Sequence, residues 1–290
     1  MHPAPSVILF TTLSGIGFGL LAFLGLGIPD VSGWTAFALF FIAYALSVGG
    51  LMASTFHLGH PERAMKAFSQ WKTSWLSREG VSAVLALVFM GLYAIGVIFM
   101  GTRFELIGVI GAALSIITVF TTSMIYTQLK TIPRWNMAVT PVMFLTLAIT
   151  GGALLSGQVR LAQVMLLLAG AVQLAYWSMG DKAFAQSGTT LASATGLGKM
   201  GAMKTFEPPH TGGNYLLNEL VYVVGRKHAQ KLRVISFILM VLVPLGLLLL
   251  PFNHLFALVA VLSHITGVAA SRWLFFAEAE HVVGLYYGKR

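Results

Sequence analysis

Long apolar runs separated by short polar interruptions make up almost the whole chain. They fall at about 6–28, 34–56, 80–100, 104–127, 137–156, 161–181, 232–251 and 254–276. Each is close to the ~20 residues that a helix needs to cross about 30 Å of hydrocarbon. Lipid offers the backbone no hydrogen-bond partner, so each run must be helical. Links as short as Gly101-Thr102-Arg103 and Pro251-Phe252-Asn253 join only antiparallel neighbours. The pattern predicts an all-α polytopic membrane protein, an up-and-down bundle of eight transmembrane helices. Residues 1–290 form a single integral membrane domain.

Two connections are longer, about 57–79 and 182–231. The second carries the turn-forming stretches Gly196-Leu197-Gly198 and Glu207-Pro208-Pro209-His210-Thr211-Gly212-Gly213-Asn214, and a surface helix is expected over Tyr215 to Arg233. The first run is too long for a signal-peptide core, and no small-residue cleavage site precedes Pro29, so it reads as a span. No internal repeat supports a transporter built from inverted halves. Gly15 and Gly19, with Ser14 and Gly17, and the pair Gly151-Gly152 predict close helix contacts.

Composition sharpens this picture. Hydrophobic residues are 57% of the chain and charged residues 9%, against about 25% charged in soluble domains. Mean hydropathy is +0.83. The absence of cysteine removes disulfides, thiolate zinc sites, and iron–sulfur clusters or c-type haem held by this chain. The net charge of +9 is read as a topology signal, not as a sign of nucleic-acid binding. With eight spans, 16 of the 18 Lys and Arg lie on one side, and only Arg103 and Arg160 on the other. Without the long second loop the division is still 9 against 2. Both termini are therefore expected in the cytoplasm, with the chain in the bacterial inner membrane.

The chemistry-bearing residues gather on the basic side. Phe56-His57-Leu58-Gly59-His60-Pro61-Glu62-Arg63 closes the second span, and Trp71-Lys72-Thr73-Ser74-Trp75-Leu76-Ser77-Arg78-Glu79-Gly80 leads into the third. Together they form a hairpin mouth with two imidazoles, two carboxylates, several cations and two indoles. Imidazole and a partly buried carboxyl can both pass protons near neutral pH. A quinone headgroup needs such partners as its carbonyls are reduced or reformed. The same residues also serve as ordinary interfacial anchors and helix punctuation, with Ser77 expected as the cap of the third span. Thr121-Thr122-Ser123 and Tyr126-Thr127 either line a polar cavity or bond back to their own helix. His264 alone lies deep in a span, so a bis-histidine haem lacks a second ligand and His264 reads as a satisfied interior polar residue. Arg272 either pairs with a carboxylate or snorkels to the surface, and snorkelling is the favoured expectation.

The blocks Thr55-Phe56-His57-Leu58-Gly59-His60-Pro61-Glu62-Arg63-Ala64, Leu76-Ser77-Arg78-Glu79, Tyr126-Thr127, Pro133-Arg134-Trp135 and Thr140-Pro141 resemble the membrane anchor subunit of dimethyl sulfoxide reductase. The resemblance covers most of the chain. It implies a complex in which a molybdopterin catalytic subunit and an iron–sulfur subunit dock on the anchor, which exchanges electrons with membrane quinone, ubiquinone or menaquinone. It implies no haem, metal or catalytic residue on this chain. On this reading His57, Glu79, His60, Arg63, Arg78 and Tyr126 serve quinone binding and proton transfer, and Arg63, Lys66, Lys72, Arg134 and His210 serve partner docking. The segment from Glu207 to Tyr215 resembles the branch associated with cytoplasmic sulfite oxidation. This makes a sulfite:quinone oxidoreductase the favoured complex, with a sulfoxide reductase anchor as the alternative. A transporter or a purely structural anchor is more remote.

Overall fold

The computed structural model describes residues 1–57, 60–207, 212–221 and 224–288, with the backbone alone for Phe56, His57, Pro61 to Ala64, Val224 and Gly225. Among the described residues the fold is all-helical. The spans are α1 (Pro5–Gly25), α2 (Gly33–Ala53), α3 (Trp75–Ile95), α4 (Glu105–Thr127), α5 (Val139–Leu155), α6 (Val159–Gln186), α7 (Arg226–Leu249) and α8 (His254–Ala277). Seven are long and apolar enough to cross a membrane, α3 being extended to Met100 by a wide turn, and α5 is shorter, at 17 residues. Together they make the expected eight-helix antiparallel bundle.

The helices are not arranged in chain order. α1 is the axis and packs on α2, α4, α5 and α8. Small residues make this possible, because with apolar lipid outside, tight van der Waals packing drives helix association. A Cβ on Gly19 would run into the Ala148 carbonyl of α5, and one on Gly152 into the Gly19 carbonyl. Gly50 of α2 is pressed against Ser14 in the same way. Gly15, expected as a contact residue, instead has nothing within 4 Å of an added Cβ.

α5 is short because the segment before it is folded into the protein. Ile132, Arg134 and Trp135 are buried, Trp135 Nε1 donates to the Phe275 carbonyl at 2.8 Å, and Thr140 Oγ1 to that of Trp135 at 2.9 Å. Irregular backbone is tolerated at membrane depth when protein supplies its partners. The same logic explains α7. Pro244 has no N–H for the Met240 carbonyl four residues back, and the helix widens over Ile238–Leu242. The neighbouring α8 supplies the missing donors: His264 Nδ1 lies 2.8 Å from the Met240 oxygen, and Ser263 Oγ donates to Leu239 at 2.8 Å.

Cross-links fix which segments share an end. On one side Asp30 pairs with Arg103. On the other, the Met1 amine donates to Ala279 (2.8 Å), His2 to Glu219 (2.8 Å) and Val282 to Thr131 (3.0 Å). These are the segments that an eight-span up-and-down chain brings to a common end. The surface helix expected over Tyr215 to Arg233 exists only in pieces, a wide turn at Leu216–Leu220 and the start of α7.

Candidate functional site

α3 begins five residues before the expected start, and this decides the site. Ser74, not Ser77, is the N-cap, accepting from the Ser77 amide at 3.5 Å. Glu79 is thereby carried into the second turn, on the stripe it shares with Ser82, Ala83, Ala86 and Met90 that packs against α4. It is 4% exposed.

The partner of Glu79 is Thr122 of α4, with Oγ1 2.5 Å from Oε1. The same hydroxyl lies 2.9 Å from the Thr118 carbonyl. A threonine has one hydrogen to donate and lone pairs to accept with. If that hydrogen goes to Glu79, an ionised carboxylate can accept it; if it goes to Thr118, a protonated Glu79 can donate to Thr122. One rotation of one hydroxyl therefore serves both protonation states. The rest of the α4 hydroxyl run bonds backwards, Thr121 to Ile117 and Thr118, Ser123 to Phe120 and Thr127 to Ser123. Two members also reach across to α3, Thr122 to Glu79 and Thr121 to the Ser82 hydroxyl at 3.3 Å, so back-bonding holds for the run without being the whole of it.

Above Glu79 lies the mouth. Arg78 donates to the carbonyls of Trp71 (3.0 Å) and Lys72 (2.6 Å), and its guanidinium sits 4.3 Å from the Trp75 ring centre. It thereby shapes the turn before α3. Lys66, Lys72 and His60 are exposed, as are Met65, Phe68 and Trp71. The Phe68 ring lies over the start of α3, 3.1 Å from where a Cβ on Gly80 would stand. His57 ends the 3-10 turn Ser54–His57 and Arg63 lies in the 3-10 helix Pro61–Phe68, but the side chains of both fall outside what is described. His210 lies outside the described residues.

Tyr126 is buried in an aromatic box of Trp135, Phe144, Phe275 and Phe276, with ring centres 5.2–5.8 Å away. Glu79 on one side and Arg272 on the other both act on it electrostatically. The snorkelling expected of Arg272 is not what is found. It is 2% exposed, because the end of α8 is roofed by the docked N-terminus and by the Val282–Thr131 link. Its guanidinium carbon lies 3.5 Å over the Phe144 ring, a cation–π contact, and Nε and Nη1 have no hydrogen-bond partner among the described residues.

Arg134 is also buried, at 9% exposure, and its charge is fully engaged. Nη1 pairs with Glu278 at 3.2 Å and Nη2 with Asp181. Arg233 completes the ring, with Nη2 2.6 Å from Asp181 and Nε 2.7 Å from Glu278. The four residues come from the α4–α5 turn, α6, α7 and the residue after α8. Their only signal in the sequence was acidic residues at the basic ends of apolar runs. Nearby, burial and the Arg226 charge push the Met1 amine down to about 5. Burial, then that amine, lowers His281, whose Nδ1 accepts from the Val283 amide at 3.0 Å.

Comparison with known proteins fits this architecture. The profile of the family described as "DMSO reductase anchor subunit (DmsC)" matches residues 1–277. A protein named as part of a sulfite dehydrogenase, from Allochromatium vinosum, is 29% identical over 326 aligned positions, covering 99% of each chain. No solved structure matches. The chain is a multi-pass membrane protein and belongs to the DMSO reductase anchor subunit family, the membrane anchors of molybdopterin oxidoreductases.

Proposed function

We propose that this chain anchors a sulfite-oxidising complex to the bacterial inner membrane and passes its electrons to quinone at the Glu79 mouth. The observation that carries the reading is Glu79 itself: a buried carboxyl, under a basic mouth, held by a hydroxyl that suits both of its protonation states. When bound, the quinone supplies two-electron chemistry that takes up or releases two protons. The residues fit such a group in kind: a proton carrier in Glu79, indole faces at Trp71 and Trp75, and imidazole at His57 and His60 on the same loop. The cavity beside Arg272, at about 10 Å³, has room for about one water and not for a headgroup, which we assign to the mouth above Glu79. Glu79 holds or releases a proton at Oε1, Thr122 turns to follow it, and Tyr126 keeps the wall rigid. Arg78 holds the turn that carries the indoles.

The iron–sulfur protein of the complex docks on the same face, where Lys66 and Lys72 are exposed and Arg63 lies in the same 3-10 helix as Lys66. Arg134 acts from inside, by holding that face together. The charge bias puts this face, both termini and the partner proteins in the cytoplasm. The name of the full-length relative favours sulfite as the substrate of the complex. The family's own description supports the second reading, a dimethyl sulfoxide reductase anchor.

The test uses the intact complex in membranes. Glu79→Gln and His57→Ala are expected to reduce quinone-linked sulfite oxidation at least tenfold while dye-linked oxidation stays within twofold. Unchanged quinone turnover in both variants would remove the site assignment. Co-purification of the chain with a sulfoxide-reducing but not a sulfite-oxidising catalytic protein would select the second reading.

A further inference from the structure

Arg272 points two N–H donors, Nε and Nη1, at nothing that can receive them. The gap beside it is walled by Thr11, Thr12 and Gly15 of α1, Thr122 of α4, Phe144 of α5 and Arg272 of α8. Thr11 donates its hydrogen to the Val7 carbonyl at 2.9 Å. The Thr12 hydroxyl, 1% exposed, has no hydrogen-bond partner among the described residues. Two orphaned donors and an orphaned hydroxyl therefore belong to residues that line one small space, whose other walls are largely apolar.

A buried polar group left unpaired is costly, and more so for a charged one. Apolar cavities stay dry, whereas a polar cavity with two to four partners and about 10–15 Å³ of room holds a water. This one offers about 10 Å³, with an oxygen acceptor wanted by the guanidinium and hydrogens wanted by the Thr12 and Thr122 oxygens. We propose that the cavity between α1, α4, α5 and α8 is a resident water site: one water accepts from Arg272 and donates to Thr12 and Thr122. Because Thr122 also holds Glu79, the water joins the Arg272 cation to the Glu79 carboxyl by an unbroken line of hydrogen bonds. The existence of the site does not depend on quinone binding at the mouth.

X-ray hydroxyl-radical footprinting of the full chain in lipid nanodiscs tests this, since radicals made from water in place oxidise a buried side chain only where water lies beside it. Phe144 borders the cavity at 2% exposure; Phe40 is as buried, at 4%, and does not border it. Phe144 is expected to be oxidised several-fold faster than Phe40. Arg272→Met keeps a long side chain but removes both orphaned donors, so the Phe144 rate should fall to that of Phe40. Thr12→Val keeps the volume and removes one partner, and should lower the rate in the same direction should the first variant not fold. Equal rates at Phe144 and Phe40 in the unaltered chain, or a fast Phe144 rate indifferent to both substitutions, would overturn the proposal.

Discussion

Two sets of buried guanidinium groups lie near the basic end of this bundle, and they are handled in opposite ways. Arg134 and Arg233 share Glu278 and Asp181, so that two cations and two anions cancel. Arg272 has the Phe144 ring and Tyr126 near it, but no carboxylate within ion-pair distance among the described residues. The first arrangement knits four segments remote in sequence, and the second leaves a charge facing a cavity. A paired buried charge is costly to disrupt, whereas an unpaired one costs stability from the outset. The Arg272 charge acts instead on Tyr126 and, through the proposed water, on the Thr122–Glu79 pair.

The contrast can be broken by measurement. Glu278→Gln leaves two guanidiniums around one carboxylate and is expected to cost about 3–5 kcal/mol, read as a lower unfolding midpoint in detergent. Asp181→Asn should cost less, because that side chain is 44% exposed. Arg272→Met should go the other way, stabilising the chain by on the order of 1 kcal/mol by removing a desolvated charge; a loss as large as that of Glu278→Gln would erase the distinction. His264→Leu removes the donor that serves the Met240 carbonyl, and a loss of about 0.6–1.7 kcal/mol is expected, with faster amide exchange around Pro244. The smallest effect is a pH effect. His281 accepts from Val283 only when unprotonated, and its folded value lies below the usual 6.5. The stability it contributes is therefore full above about pH 6.5 and is lost as pH falls through the lowered folded value. Exchange of the Val283 amide should accelerate on acidification, and His281→Asn, which keeps a capping acceptor, should flatten the response.

The spans were legible because bilayer thickness dictates their length. The start of α3 was not, since Leu76-Ser77-Arg78-Glu79 is polar enough to pass for a loop; only the cap chemistry of Ser74, three residues before Ser77, marked it. That shift moved Glu79 from a loop to the interior. His57 and Glu79 drew notice as residue types at a membrane rim, but the partner that gives Glu79 its chemistry, Thr122, lies 43 positions away and has no local signature. Arg272 was misjudged for a related reason. Five residues from a helix end, a long side chain can normally reach water, but here residues 1–2, 131 and 279–282 cover that end, and no property of α8 alone foretells it.

The ion ring also has a consequence for biosynthesis. Arg134 and Glu278 are 144 residues apart, and at roughly 5–20 residues per second their emergence is separated by on the order of ten seconds. Until α8 is made, two guanidiniums share one carboxylate. The basic end is thus completed only when the last helix arrives, and a chain stopped before residue 278 would be left open there. Such a chain would carry an exposed pair of arginines by which a quality-control protease could recognise it as unfinished.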